Sequence, residues 1–247
     1  MNVEKMKAKD RIIVALDVPR LDMAIELVKQ LQADVGMFKV GLELLHSEGT
    51  PKVVRAVQEA AGRQIGGVFV DVKLHDIPNT VAGASRAISK LGGVEMFNLH
   101  ASGGIEMIRA AVQWKGKSKV LAVTVLTSLA EDVAHQIYGA PIRAKVLQLA
   151  KDAKLAGVDG IICSPQELQV LGNQQELSDL LRITPGVRPK WAVKGDQKRV
   201  TTPADAIKAG ADYLVVGRPI TKPPKEIGTP VEAAIKIAEE IEQTEVE

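Results

Sequence analysis

The feature that most constrains this chain is an alternation between two kinds of apolar segment, repeated along its length. Short runs rich in Val, Ile and Leu occur at residues 12–16, 37–40, 68–72, 96–99, 120–126, 160–163, 181–184 and 213–216. Runs of this length, bounded by polar or turn residues, read as strands buried on both faces. Between them, apolar residues recur at helical spacing over 21–31, 51–61, 81–91, 105–114, 142–156, 203–209 and 231–241. Pro78, Pro165, Pro203 and Pro230 stand near expected helix starts, where a missing N–H leaves no bond unmade. Gly62, Gly92, Gly157 and Gly210 stand where helices should end. Strand and helix alternate with no Pro/Gly/Ser-rich linker, which predicts an α/β fold: a single (β/α)8 TIM barrel domain over residues 1–247. A doubly wound open sheet is the alternative. It is expected to carry a glycine-rich turn after the first strand, and here that turn is Asp17-Val18-Pro19-Arg20.

Composition supports this and removes several functions. A length of 247 residues suits one barrel. Aromatics are 3%, so the core must be aliphatic, and the stacking platforms of single-stranded nucleic-acid binders are not available. The net charge is +2, from 32 basic and 30 acidic residues with no dominant block, so no nucleic-acid partner is expected. The single cysteine, Cys163, cannot form an intrachain disulfide and lies in an apolar run, as a small buried residue would. Residues 1–10 lack the apolar stretch of a signal peptide, and no run approaches the ~20 residues of a membrane span. The expected location is cytoplasmic, with no membrane partner.

In a barrel of this type, chemistry collects at the C-terminal ends of the strands. The polar residues at those ends are Asp17, Lys39, then Asp71, Lys73 and Asp76, then Asn98 and His100, Thr127 and Ser128, Ser164, Arg188 within Pro185-Gly186-Val187-Arg188, and Gly217 with Arg218. Alternation places Asp71 and Lys73 on one face of the third strand. If that face lines the barrel mouth, both charges are partly desolvated and need partners, and Lys39 on the neighbouring strand is the natural second cation. A purely structural ion pair needs one Lys and one Asp, and this strand end gathers more than that. The loops after the last two strands are the usual phosphate site of the fold, where Gly217 allows close approach and Arg218 offers a forked donor. The basic segment 188–199 reads as a lid beside that site, or as a solvated loop with no role. His75 and His100 lack the converging ligands of a metal site and are read as structural.

Taken together, these residues resemble the orotidine 5′-monophosphate decarboxylase family over nearly the whole chain. The resemblance rests on Ala15-Leu16-Asp17, Phe38-Lys39-Val40-Gly41, Asp71-Val72-Lys73-Leu74-His75-Asp76-Ile77-Pro78-Asn79-Thr80, Thr127-Ser128, Cys163-Ser164-Pro165, Thr184-Pro185-Gly186-Val187-Arg188, Asp196-Gln197 and Val216-Gly217-Arg218. The Asp-x-Lys-x-x-Asp run is shared with Mg2+-dependent sugar-phosphate decarboxylases and aldolases of the same superfamily. The loop from Thr184 to Gln197 is what favours a nucleotide-monophosphate substrate. The resemblance implies conversion of orotidine 5′-monophosphate (OMP) to UMP and CO2, with no cofactor and no metal. It also implies a role for each matching residue. Asp17 and Lys39 bind the ribose hydroxyls, Asp71 sits by the departing carboxylate, and Lys73 is the proton donor. Thr127 and Ser128 lie near the pyrimidine. Arg188, Gln197, Gly217 and Arg218 hold the phosphate. Asp76 completes the charge network from a partner subunit, and Ile77 and Thr80 enter that same partner site, so a homodimer with shared active sites is implied. A catalytically silent nucleotide-phosphate binding barrel is the remaining alternative, and the number of charges at the third strand end speaks against it.

Overall fold

The computed structural model describes residues 6–62, 65–192 and 201–246. Within them the eight apolar runs form eight parallel strands: β1 (Ile12–Ala15), β2 (Met37–Val40), β3 (Val68–Leu74), β4 (Val94–His100), β5 (Lys119–Val123), β6 (Gly160–Ile162), β7 (Leu181–Pro185) and β8 (Tyr213–Val216). Each pairs with the next in parallel, and β1 pairs with β8 through Ile12↔Leu214 and Ile13↔Val215, which closes the barrel. Closure leaves no strand edge unpaired. The expected barrel is therefore the fold observed.

The helices are α1 (Leu21–Leu31), α2 (Leu42–Glu48), α3 (Thr50–Ala61), α4 (Pro78–Ser89), α5 (Ile105–Gln113), α6 (Glu131–Tyr138), α7 (Ile142–Ala156), α8 (Leu168–Gly172), α9 (Pro203–Lys208), α10 (Arg218–Thr221) and α11 (Pro230–Val246). Their inward faces carry the spacing read from the sequence. In α1 the buried residues are Ala24, Val28 and Leu31, four and three residues apart. Pro51, Pro78 and Pro203 occupy first-turn positions of α3, α4 and α9. Helices α2, α6, α8 and α10 were not expected, because elements of about two turns or fewer barely show a 3.6-residue repeat; α9, as short, is marked by Pro203 at its start and Gly210 beyond its end. None of the described helices is long and apolar enough to cross a membrane.

At the C-terminal side of the barrel, two strand ends differ from expectation by two residues or more. The fifth run was expected to continue to Leu126, but the ladder stops at Val123. There the Thr124 N–H and hydroxyl both donate to the Ile162 carbonyl, at 3.2 and 3.0 Å, and the chain turns through Leu126 to Leu129. The third run was expected to end at Val72 and instead reaches Leu74.

Two cores result. The larger lies between strands and helices, and includes Phe38, Val40, Val70 and Phe97. The smaller fills the barrel itself with Ile13, Ala15, Met37, Phe69, Met96, Leu121, Ile183 and Val215. That inner plug is the floor on which the site stands.

Candidate active site

The polar residues of the barrel mouth follow from the inner plug by strand geometry. Successive side chains alternate between faces, so a step of two residues stays inside the barrel and moves one layer towards its C-terminal end. From Ala15 that step reaches Asp17, from Met37 it reaches Lys39, from Phe69 it reaches Asp71, and from Met96 it reaches Asn98. All four line a cavity of about 320 Å³. Lys73, Thr127, Pro185, Gly186 and Gly217 complete its polar and backbone lining, and Val123, Val125, Leu126 and Ile162 its apolar wall.

The charges in this cavity form one alternating chain. Lys39 Nζ lies 3.0 Å from Asp17 Oδ1 and 3.1 Å from Asp71 Oδ2. The other Asp71 oxygen, Oδ1, lies 2.6 Å from Lys73 Nζ. Lys39 and Asp71 are 8% and 7% exposed, and Asp17 and Lys73 open towards the cavity. Burial pulls the Lys39 ammonium down, but the Asp71 and Asp17 carboxylates outweigh it and hold its pKa above the ordinary lysine value. Burial pushes Asp71 up, but Lys39 and Lys73 outweigh it and hold the carboxyl below its usual range. Both buried groups therefore carry charge. Gly41 makes room for the chain's first link: a Cβ there would stand 2.9 Å from Asp17 Oδ1 and 3.2 Å from Lys39 Nζ.

The third strand is irregular where the charges sit. Between Val70↔Phe97 and Leu74↔Leu99, β3 advances four residues while β4 advances two. The extra residues form a bulge, a device that re-aims side chains at barrel rims. Lys73 has φ +49°, the one positive value outside glycine among the described residues. A left-handed conformation costs a residue with a side chain about 1–2 kcal/mol. The Lys73 N–H, displaced from a regular ladder, donates to Asn98 Oδ1 at 2.8 Å. Asn98 Nδ2 in turn donates to Asp71 Oδ1 at 2.7 Å. Sequence reasoning placed Asn98 at a strand end and gave it no role. The signal available was its position, two residues beyond an inner-plug methionine.

The remaining expected residues are scattered around this centre. Thr127 lines the cavity, whereas its neighbour Ser128 is exposed and outside the lining. Arg188 is buried just beyond β7, its N–H donating to the Thr201 carbonyl at 3.0 Å. Gly217 lines the cavity, and Arg218 follows it, exposed, as the first residue of α10. Asp76, Ile77 and Thr80 stand outside this chain's own cavity. The whole stretch from His75 to Thr80 is exposed, Ile77 to 66%, and Asp76 Oδ1 accepts from the Ile77 N–H at 2.7 Å. Gln197 and most of the basic segment 188–199 lie outside the described residues. The rings of His75 and His100 approach to 5.5 Å. Among the described residues no group of three or more His, Cys, Asp or Glu side chains could hold a metal ion. Cys163 is buried, and burial pushes its thiol up to about 12, which suits a packing residue and not a nucleophile.

A family model described as orotidine 5′-phosphate decarboxylase / HUMPS matches residues 10–237. The chain belongs to this family. Among its members, the orotidine 5′-phosphate decarboxylase of Syntrophomonas wolfei is 43% identical over 96% of this chain and 100% of that protein. The enzyme of the same name from Moorella thermoacetica is 46% identical over 96% of this chain and 94% of its own length. The crystal structure of orotidine 5′-phosphate decarboxylase from Lactobacillus acidophilus superposes with a TM-score of 0.77 at 34% identity, over 93% of this chain and 98% of that one. That from Pyrococcus horikoshii gives 0.73 at 25% identity, over 94% and 99%. The family description spans two kinds of enzyme, but the curated relatives named here carry the decarboxylase name alone.

Proposed function

We propose that this chain decarboxylates OMP to UMP in pyrimidine biosynthesis, using Lys73 as the acid and no metal or organic cofactor. The observation that carries this reading is the Asp17–Lys39–Asp71–Lys73 chain, buried at Lys39 and Asp71 and opening into one cavity, in a protein 43–46% identical to curated orotidine 5′-phosphate decarboxylases.

The reaction breaks the bond between ring carbon 6 and the carboxylate. CO2 leaves, and the electron pair stays on carbon 6 in the plane of the ring, where the ring π system cannot absorb it. Stabilisation must come from a positive charge fixed in place beforehand. The Lys73 ammonium, held by Asp71, is such a charge, and its proton then forms the new C–H bond. OMP and one proton thus give UMP and CO2, and solvent reprotonates Lys73. Asp71 faces the departing carboxylate, and Asp17 and Lys39 take the ribose hydroxyls. Thr127 and Ser128 stand beside the pyrimidine. Arg188, Gln197, Gly217 and Arg218 hold the phosphate, with 188–199 closing over it as a lid. Accelerations in this class of slow reaction reach about 10^17-fold, or about 23 kcal/mol, so remote phosphate binding must contribute along with Lys73.

The same reading makes the protein a cytoplasmic homodimer in which Asp76, Ile77 and Thr80 complete the partner's site. The exposed isoleucine, at 66%, beside an exposed acid supports this, since a large exposed apolar residue in a polar setting suits a contact surface.

A spectrophotometric assay of OMP consumption, with and without EDTA, tests the proposal. Turnover that survives the chelator is expected. No turnover of OMP, or activity lost to EDTA and restored by Mg2+, would reject it and point to the sugar-phosphate members of the superfamily.

A further inference from the structure

We infer that Asn98 is a positioning residue for the decarboxylation, clamping the Lys73 backbone and the Asp71 carboxylate together so that the Lys73 ammonium has one place to be. It rests on the decarboxylase reading above.

Asn98 is fully buried, at 0% exposure, on a barrel-facing position of β4. Its two side-chain atoms face two different demands. The Lys73 N–H needs an acceptor, and the Asp71 carboxylate needs donors. Only one orientation of the amide serves both: Oδ1 towards Lys73 N at 2.8 Å and Nδ2 towards Asp71 Oδ1 at 2.7 Å. Among side chains of this length, only the amide offers a donor and an acceptor on one planar group that stays neutral at any ordinary pH. Aspartate would bring a second negative charge to Asp71, and leucine of similar size would satisfy neither group.

The consequence concerns geometry at the reacting atom. Asp71 Oδ1 receives both Asn98 Nδ2 and Lys73 Nζ, so one fixed oxygen orients the ammonium. Meanwhile the backbone of Lys73 is held at φ +49°, where a free residue would rarely stay. Without the Asn98 bond, the Lys73 amide would be an unsatisfied donor inside a bulge, and the backbone could relax towards an ordinary extended conformation. The ammonium would then start from a different place. Misplacement by about 1 Å can cost about 100-fold in rate.

Three measurements test this. First, Asn98→Ala is expected to lower kcat about 100-fold while KM for OMP and Kd for UMP stay within about threefold. A folded Asn98→Ala variant with near-parent kcat would overturn the inference, as would a loss of rate matched by equal losses in KM and UMP affinity. Second, Asn98→Asp supplies a near-isosteric group. Its new carboxyl lies against Asp71 and holds its proton to higher pH than usual. Protonated, it can accept from the Lys73 N–H and donate to Asp71; ionised, it cannot donate. The variant should be most active at acid pH and lose activity as pH rises, a step the parent lacks. The other charged or titratable groups around Lys73 and Asp71, namely Lys39, Asp17, His75 and His100, are common to both proteins and cancel in the comparison. Parallel profiles would overturn the inference. If Asn98→Ala fails to fold, Asn98→Asp decides; if neither folds at any pH, the residue serves folding and the inference fails. Third, amide hydrogen exchange at Lys73 in the unliganded protein needs no substrate. Protection should fall at least about tenfold in Asn98→Ala; unchanged protection would overturn the inference. A parent that turns over no OMP yet shows that loss of protection would fail the decarboxylase reading and leave the clamp standing.

Discussion

The two ends of the barrel both carry buried or half-buried ion pairs, and they differ in what the charges are tied to. At the N-terminal end, Lys115 pairs with Asp159 at 2.5 and 2.6 Å, Asp159 also accepts from the Val120 N–H at 2.8 Å, and Lys119 pairs with Glu95. Asp212 accepts from the Arg182 N–H at 2.7 Å in the same manner. Each acid there meets one cation, one backbone donor, or one of each, next to the start of a strand. At the C-terminal end, the pairs join into a chain, Asp17–Lys39–Asp71–Lys73, whose last ammonium opens into a cavity. A pair that closes on itself fastens strands together. A chain with a free end can meet a ligand.

That contrast can be broken or sharpened by mutation. The largest expected effect is for Lys73→Ala, which should cut turnover of OMP by about 10^4-fold or more while UMP still binds; near-normal decarboxylation would remove Lys73 from its role. Arg218→Ala should weaken UMP binding about 10- to 100-fold but uridine binding hardly at all. Equal losses for nucleotide and nucleoside, measured by calorimetry, would show that Arg218 is not a phosphate ligand. At the opposite end, Asp159→Asn should lower unfolding free energy by about 1–2 kcal/mol, read from urea melts, and leave kcat and KM unchanged. A kinetic effect there as large as that of Arg218→Ala would erase the distinction between the ends.

An effect seen only as a pH dependence of stability belongs to an acid at the C-terminal end that is wired like those at the other. Glu167 is buried, and its carboxylate accepts from the Ser164 N–H at 2.8 Å as part of a capping box. Burial raises its pKa to about 7, above the unfolded value. The folded state therefore holds this proton more tightly than the unfolded state. Its contribution to stability is present below the unfolded pKa and is lost as pH rises towards about 7. Glu167→Gln should flatten the stability profile over that range, with a change of no more than about 3 kcal/mol. Identical profiles for parent and variant would show that Glu167 is not held protonated in the fold.

Much of the site was legible because strand alternation carries it. Knowing that residues 37 and 69 face inward is enough to place Lys39 and Asp71 above them. The eight strands were legible for the same reason, being apolar on both faces. What could not be read divides by cause. Helices α2, α6, α8 and α10 are so short that they barely show a period. The bulge at Lys73 leaves no compositional mark, because the residue with positive φ is a lysine and not a glycine. Asn98 was visible as a polar strand end, but its two hydrogen bonds exist only because the neighbouring strand departs from its ladder. Asp76, Ile77 and Thr80 lie exposed outside the cavity, and under the proposed homodimer their role depends on a second chain.

The irregular stretch of β3 has a consequence for anyone who would improve this protein. Deleting two residues between Val70 and Leu74 would restore a one-to-one register with β4. The shortened strand would gain ladder hydrogen bonds and lose a left-handed residue, so by every rule of idealised backbone design it would be the better barrel. With Val72 and Lys73 as the two residues removed, it would also lose the ammonium that opens into the cavity and keep only the buried Lys39. Screening variants for heat resistance alone would reward that deletion, and screening for turnover would discard it. On the proposed role of Lys73, the imperfection of the strand is what delivers its ammonium to the cavity.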